Sequence, residues 1–356
     1  MELFSRLKIS NIRKTTRECS VVEIDVPENL QQQFIYKQGQ FLTFKKKING
    51  EIVQRSYSLC SSPTENKWQV AIKKIPLGVF STYANEQLKV GDTIEVMKPA
   101  GNFYIEVAPE KSRNFIAFAA GSGITPILSI IKTHLTQEPH STFVLLYVNS
   151  RSNTIILKEE IESLKNTFLN RFQVFYFLTK EQRNIPFLNG RFNPTNLNHL
   201  FTHFINLQNI DHCFLCGPKD MVFFLKDFLK ERSFNDRHIH YELFFAGSKE
   251  PSSKSKEILK NKASGSEITV IDGGKEFHFT LDEDYDNILD AALAFGADLP
   301  FACKGGVCCT CKCKVIEGKV EMKINYALEK EEVAQNFVLS CQAVPVTNKV
   351  KVDFDV

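Results

Sequence analysis

The chain has 356 residues, 43% of them hydrophobic and 24% charged, enough for two or three ordinary domains and too apolar for a disordered chain. Its formal net charge of +3 at pH 7 is too small to point to nucleic acid, and no run of about 18 apolar residues offers a membrane span. The first 30 residues hold no apolar stretch of signal-peptide length, so the ten cysteines are expected to be reduced thiols and metal ligands in a cytoplasmic protein.

Residues 1–108 read as short strands separated by Gly and Pro: Val21–Val26, Gln40–Phe44, Arg55–Leu59, Trp68–Ile72 and Thr93–Val96. About six such segments with turn signals between them predict an antiparallel barrel.

Near Ala108-Pro109-Glu110 the pattern changes, and residues 109–246 alternate strand and helix. Strand-like Asn114–Ala119 runs into a helix from Pro126. Thr142–Tyr147, Phe172–Tyr176 and His212–Leu215 follow with helical segments between them, the pattern of a parallel α/β sheet. Ala120-Gly121-Ser122-Gly123-Ile124-Thr125-Pro126 joins the first strand to its helix. Glycines there let the backbone approach a pyrophosphate, and the unpaired N–H groups of the helix start favour an anion. The third glycine of the usual fingerprint is missing, and Pro126 stands near its place, where proline starts helices well.

Farther on, Phe214-Leu215-Cys216-Gly217-Pro218 ends another strand and opens another helix. Ligands bind at the carboxyl ends of parallel strands, so Cys216 and Gly217 are expected in the same crevice, with Cys213 packed in the strand. After Val144–Val148 comes Asn149-Ser150-Arg151-Ser152, with no acidic residue before Glu159. An Asp or Glu would hold a ribose 2′-hydroxyl, whereas Arg and Ser suit a 2′-phosphate, so this stretch favours NADPH over NADH.

Residues 247–266, rich in Ser, Lys and Gly, read as a linker. Beyond it, residues 267–356 carry 16 Asp and Glu against 9 Lys and Arg, while residues 1–266 carry 25 against 35. An acidic module beside a basic body suits electrostatic docking. Glu267–Asp272, Gly273-Gly274 and Glu276–Phe279 form a hairpin pattern, and a helix over Asn287–Ala294 stops at Gly296, which suits a small β-grasp module. Here Cys303, Cys308 and Cys311 are spaced C-x4-C-x2-C, and Cys341 follows after 29 residues. That is the plant-type 2Fe-2S spacing. Gly305 and Gly306 let the backbone approach the sulfides and donate N–H groups.

Together these motifs resemble the ferredoxin-NADP reductase superfamily, and within it oxygenase reductases with a C-terminal plant-type ferredoxin domain, such as those serving phenylacetyl-CoA-type ring epoxidases. The resemblance covers nearly the whole chain. It implies a multidomain protein: an antiparallel β-barrel FAD domain over 1–108, an α/β parallel-sheet NAD(P)H domain over 109–246, the linker over 247–266, and an α+β β-grasp ferredoxin domain over 267–356. Arg55-Ser56-Tyr57-Ser58 matches the family's R-x-Y-S motif. This implies that Arg55 pairs with the FAD pyrophosphate, Ser56 lines the same site, Tyr57 packs on the isoalloxazine and ribityl, and Ser58 lies near flavin N5. Gly78-Val79-Phe80-Ser81 matches G-x-x-S, with Thr82 completing a phosphate-facing turn, and Gly101-Asn102-Phe103 matches the turn that closes the barrel.

In the nucleotide domain the resemblance assigns Gly121, Gly123, Thr125, Pro126, Arg151 and Gly217 to the dinucleotide. Cys216 would sit beside nicotinamide C4, so that Cys216 and Ser58 face the reacting atoms, and Glu242 in Tyr241–Phe244 is a further candidate at that site. Cys303, Cys308, Cys311 and Cys341 would ligate the cluster. Cys309 departs from the family, which has a small residue there, and Cys313 reads as packing.

The chemistry so implied converts a two-electron donor into single electrons, passing from NADPH to FAD to 2Fe-2S and then to an external oxygenase or other redox protein. The linker would let the ferredoxin module approach the flavin and turn outward. A desaturase, another hydroxylase or a ferredoxin as acceptor stays open. So does a zinc-stabilised nucleotide-binding module, although zinc sites normally show paired C-x2–4-C knuckles.

Overall fold

The computed structural model describes residues 3–244, 257–259, 262–263 and 265–356. The chain forms two compact units, one of residues 6–53 and 57–244, the other grouping residues 54–56 with the C-terminal residues. The linker expected over 247–266 lies for the most part outside the described residues.

The first sheet comprises β1 (Ser5–Thr16), β2 (Cys19–Asp25), β3 (Phe41–Ile48), β4 (Glu51–Ser58), β5 (Trp68–Lys73) and β6 (Thr93–Val96), in the order β4-β3-β6-β1-β2-β5. A short helix α1 (Glu28–Gln31) follows β2, and α2 (Val79–Glu86) follows β5. The paired strands are antiparallel, and the bridge Leu59↔Val70 joins the two edges, so the sheet closes into the expected barrel. Long β1 was not among the expected strands: within Ser5-Arg6-Leu7-Lys8-Ile9 only Leu7 and Ile9 are buried apolar residues, too few for a clear alternation.

Strands β2 and β5 bury both faces. Val22, Ile24, Val70 and Ile72 point into the barrel core, while the alternating Cys19, Val21 and Ala71 pack into a second core with the next part of the chain.

That next part is a second sheet of β7 (Asn114–Ala120), β8 (Thr142–Asn149), β9 (Phe172–Leu178), β10 (His212–Gly217) and β11 (Ile239–Leu243), in the order β11-β10-β7-β8-β9 and parallel throughout. Its helices are α3 (Ile124–Gln137), α4 (Lys158–Thr167), α5 (Pro194–His203) and α6 (Lys219–Lys230). With both faces covered, β7 can be almost wholly apolar, as its sequence NFIAFAA is. The strand order reverses between β7 and β10, which opens a crevice at their carboxyl ends. Helix α3 crosses to the barrel, where Ser129 Oγ donates to Ser61 O at 2.6 Å and the Ser62 and Thr133 hydroxyls meet at 2.9 Å.

The C-terminal unit has a sheet in the order β13-β12-β18-β14-β16, from β12 (Ser266–Asp272), β13 (Lys275–Leu281), β14 (Lys312–Glu317), β16 (Phe337–Leu339) and β18 (Lys349–Asp353). A separate pair joins β15 (Val320–Met322) to β17 (Ala343–Pro345). The β12–β13 hairpin turns at Gly273-Gly274 as expected. Helix α7 (Ile288–Ala294) is capped by Asn287, whose side chain accepts from Asp290 N–H, and packs its Ile288, Leu289, Ala291 and Ala292 into the core of this unit; α8 (Lys330–Ala334) precedes β16. Between α7 and β14, residues 295–311 form an irregular loop.

Candidate functional site

Two sets of side chains stand out, one in each unit. In the first unit, the expected glycine turn lies at the head of the crevice. Gly121 has φ +54°, a conformation that favours glycine, and the Tyr147 hydroxyl donates to its carbonyl at 2.8 Å. Gly123 is required for space, because a Cβ there would come within 2.3 Å of Cys216 O. The turn therefore locks the loop after β7 against the end of β10. The 14-residue helix α3 starts immediately behind it with no side-chain cap, the Ile124 N–H turning back to Gly121 O and Ser122 O, and its dipole favours an anion at this end. Thr125 and Pro126 are buried in the first turn of α3, and the Thr125 hydroxyl donates to Ser122 O at 3.0 Å. Thr125, expected at the nucleotide, thus also shapes the turn with its hydroxyl.

Across the crevice, the register of β10 and β11 sets Cys216 beside Glu242. Ser58, at the end of β4, donates its hydroxyl to Glu242 Oε2 at 3.3 Å. Three residues far apart in sequence, from the barrel and from two strands of the parallel sheet, thus come together. Burial pushes the Glu242 carboxyl up to about 7, against the opposing effect of the Ser58 hydrogen bond. Burial, reinforced by Glu242, also raises the Cys216 thiol well above its ordinary value. Cys216 is therefore a buried, neutral thiol beside a carboxyl that burial holds far above the usual carboxylate range.

The two flavin motifs also meet. The Tyr57 ring lies 5.6 Å from that of Phe80 of α2, tilted by 35°, which sets the R-x-Y-S strand against the G-x-x-S helix start. Arg55 is exposed, and Ser56 and Tyr57 are partly so. Ser81 is buried and donates to Gly78 O at 3.1 Å, holding the first turn of α2 while the Thr82 N–H bonds the same carbonyl at 2.9 Å.

In the second unit the loop of residues 303–311 gathers thiols. Cys303 and Cys308 sulfurs lie 3.2 Å apart, and Cys311 hydrogen bonds to Cys341. Backbone N–H groups converge on them: Gly305, Val307 and Cys308 toward Cys303, and Gly306 toward Cys341. Gly306 has φ +72°, and a Cβ on it would meet Ile324 O at 2.8 Å. No group of three or more His, Cys, Asp or Glu among the described residues forms a site for a lone metal ion. The two thiol pairs with their N–H donors fit a binuclear iron–sulfur cluster held by four cysteines. Cys309 turns elsewhere and donates to Ala327 O at 3.3 Å, and Cys313 is fully buried in β14.

A feature that no sequence motif announces lies at the far edge of the crevice. Glu181, just beyond β9, accepts from the Ser152 N–H at 2.8 Å and from its hydroxyl at 3.0 Å. Its distance of 29 residues from Ser152 hides it from any local motif.

Comparison with known proteins accounts for all three parts. Residues 6–105 match the oxidoreductase FAD-binding domain family, residues 118–227 the oxidoreductase NAD-binding domain family, and residues 270–346 the 2Fe-2S iron-sulfur cluster binding domain family. Over 355 residues the chain is 40% identical to one of the component chains of 1,2-phenylacetyl-CoA epoxidase from Escherichia coli strain K12, covering 100% of this chain and 99% of that protein. It is 30% identical to the ferredoxin reductase component of 3-ketosteroid-9-alpha-monooxygenase from Rhodococcus rhodochrous, over 98% of this chain and 96% of that one. Among solved structures, phthalate dioxygenase reductase shares the fold with a TM-score of 0.60 and 20% identity, over 99% of this chain and 98% of its own. FAD, a nicotinamide nucleotide and a 2Fe-2S cluster are the cofactors of this domain set. No described helix is long and apolar enough to cross a membrane.

Proposed function

We propose, for a chain that belongs to the flavin and iron–sulfur oxygenase reductases of the ferredoxin-NADP reductase superfamily, that it takes electrons from NADPH in the cytoplasm and delivers them to an oxygenase of the phenylacetyl-CoA epoxidase kind. When bound, FAD takes up a hydride and releases electrons singly, and the 2Fe-2S cluster hands them on one at a time.

The observation that carries this reading is the meeting of Ser58, Glu242 and Cys216 where the barrel joins the parallel sheet. There Cys216 positions the nicotinamide ring, while Ser58 and Glu242 hold a proton at the flavin N5 edge. Arg55 and Ser56 pair with the FAD pyrophosphate, Tyr57 covers the flavin, and Gly78, Ser81 and Thr82 present the start of α2 to a phosphate. Gly121, Gly123, Thr125, Pro126 and Gly217 shape the dinucleotide turn, and Arg151 binds the ribose 2′-phosphate. Cys303, Cys308, Cys311 and Cys341 ligate the cluster. These residues fall in a flavin part over 1–108, a nucleotide part over 109–246 and a ferredoxin part over 267–356, with 247–266 between the last two. The acceptor is supported by the 40% identity, end to end, with a component of such an epoxidase.

Reconstitution with the oxygenase components of that kind of epoxidase, following NADPH consumption and epoxidised product together, tests the acceptor. Coupled turnover with a different oxygenase and none with the epoxidase would replace it.

A further inference from the structure

The end of β8 and the end of β9 stay paired beyond the strands themselves: Thr179 N–H donates to Asn149 O at 3.0 Å and Lys180 N–H to Ser150 O at 2.8 Å. This continuation carries Glu181 onto Ser152, where one carboxylate oxygen takes both the backbone N–H and the hydroxyl. Those two hydrogen bonds, and then the nearby positive charges of Arg151 and Arg183, hold its carboxyl below the usual range. Arg183 is itself fixed by donating to Tyr176 O at 3.1 Å. The donors that suit a 2′-phosphate therefore already hold an anion belonging to the chain.

We infer that Glu181 is a built-in occupant of the ribose 2′ subsite and sets the balance between NADPH and NADH. The inference rests on the reading of Arg151 and Ser152 as that subsite. A 2′-phosphate is an anion and an acceptor, so it competes with the Glu181 carboxylate for the same N–H, hydroxyl and guanidinium groups. A 2′-hydroxyl is a donor, and the carboxylate in place can accept from it. With NADH, Glu181 stays on Ser152 and receives the 2′-hydroxyl. With NADPH, the phosphate takes over Ser152, Arg151 and Arg183, and Glu181 turns out to solvent. The chain thus accepts both nucleotides, and Glu181 holds back a preference for NADPH that Arg151 would otherwise make stronger.

The test is titration calorimetry of the full-length flavoprotein with 2′,5′-ADP and with 5′-AMP, on the native chain and on E181Q, E181A and R151A. Both Glu181 variants should raise the ratio of 2′,5′-ADP affinity to 5′-AMP affinity by about tenfold, the order expected when one solvent-screened like-charge contact is removed. In steady state, the NADPH to NADH ratio of kcat/KM should rise in the same variants. R151A should lower 2′,5′-ADP affinity and leave 5′-AMP unchanged. If R151A behaves so while both Glu181 variants leave the ratio where it was, or lower it, the role of Glu181 is overturned and the Arg151 subsite stands. If none of the three changes the ratio, the subsite reading and the role of Glu181 fall together.

Discussion

Cys303 and Cys341 of the second unit meet a fate opposite to that of the buried thiols of the first unit, whereas Cys308, Cys311 and Cys313 are raised as those are, and the contrast separates burial from hydrogen bonding. Cys19, Cys60, Cys213 and Cys216 in the first unit are fully buried, and loss of water pushes the first two up to about 12 and raises the others well above their ordinary value. Cys341 in the second unit is buried as well, yet a hydrogen bond from Cys311, aided by Gln342 and the Gly306 N–H, lowers it. Cys303 falls likewise, through Cys308 and three backbone N–H groups. On a strand such as β10, the backbone N–H groups are committed to the ladder, so a buried thiol finds no donor and stays neutral. In an irregular loop the N–H groups are free to point inward and stabilise a thiolate. Within each thiol pair one sulfur donates and is raised while its partner accepts and is lowered, Cys308 to Cys303 and Cys311 to Cys341.

The contrast can be tested by substitution, beginning with the largest effect. Cys303→Ser should abolish the iron–sulfur absorbance and delivery to the oxygenase while NADPH still reduces the flavin, measured with an artificial acceptor. Survival of the cluster would break the comparison at its centre. Cys216→Ala should do the reverse, leaving the cluster absorbance intact and slowing hydride transfer in stopped flow by on the order of 10- to 100-fold through lost positioning. Gly306→Ala tests the loop itself: the added Cβ would meet Ile324 O at 2.8 Å in a left-handed backbone. It should cost about 1–3 kcal/mol and release the cluster at lower temperature, read from visible absorbance.

Glu242 extends the comparison to a carboxylate, because burial raises it as it raises Cys216. Its folded value of about 7 lies above the unfolded one, so the folded chain keeps a proton that the unfolded chain releases. The stability due to that proton is full below about pH 4 and is lost as pH rises through about 7. In Glu242→Gln the plot of Tm against pH should flatten over this interval, and an unchanged slope would contradict the assignment. Cys213→Ala has the smallest effect: on the order of 1 kcal/mol of stability from a small core void, with turnover as before. A fall in hydride transfer would show that Cys213 does more than pack.

Much of this was legible in the sequence where chemistry is local. C-x4-C-x2-C lies within nine residues, and the Gly121–Gly123 turn announces itself because backbone approach needs glycine. Spacing favoured Cys308 over Cys309 as second ligand but left the role of Cys309 open; in the structure Cys309 donates to Ala327 O and Cys313 is buried. At Thr125 the sequence did not reveal that the hydroxyl bonds Ser122 O, since a hydroxyl at a helix start also serves its own turn. Glu181 could not be found by scanning near Ser152, because strand pairing, and not sequence distance, brings it there. The outward faces of β2 and β5 were hidden for a similar reason. Cys19, Val21 and Ala71 look like the second face of a barrel strand until the surface that covers them is known.

That covered surface bears on how such a protein can be divided. Phe103, Cys19, Cys60 and Ala71 from the barrel share one core with Phe115, Ile127 and Leu145 of the parallel sheet, whereas the C-terminal unit closes a core of its own. The flavin and nucleotide segments match two separate families over residues 6–105 and 118–227. They are modules to a recombining genome and a single cooperative piece to a melting protein. A chain cut near residue 108 would leave each fragment with a raw apolar face, and the two would be expected to unfold in one shared transition.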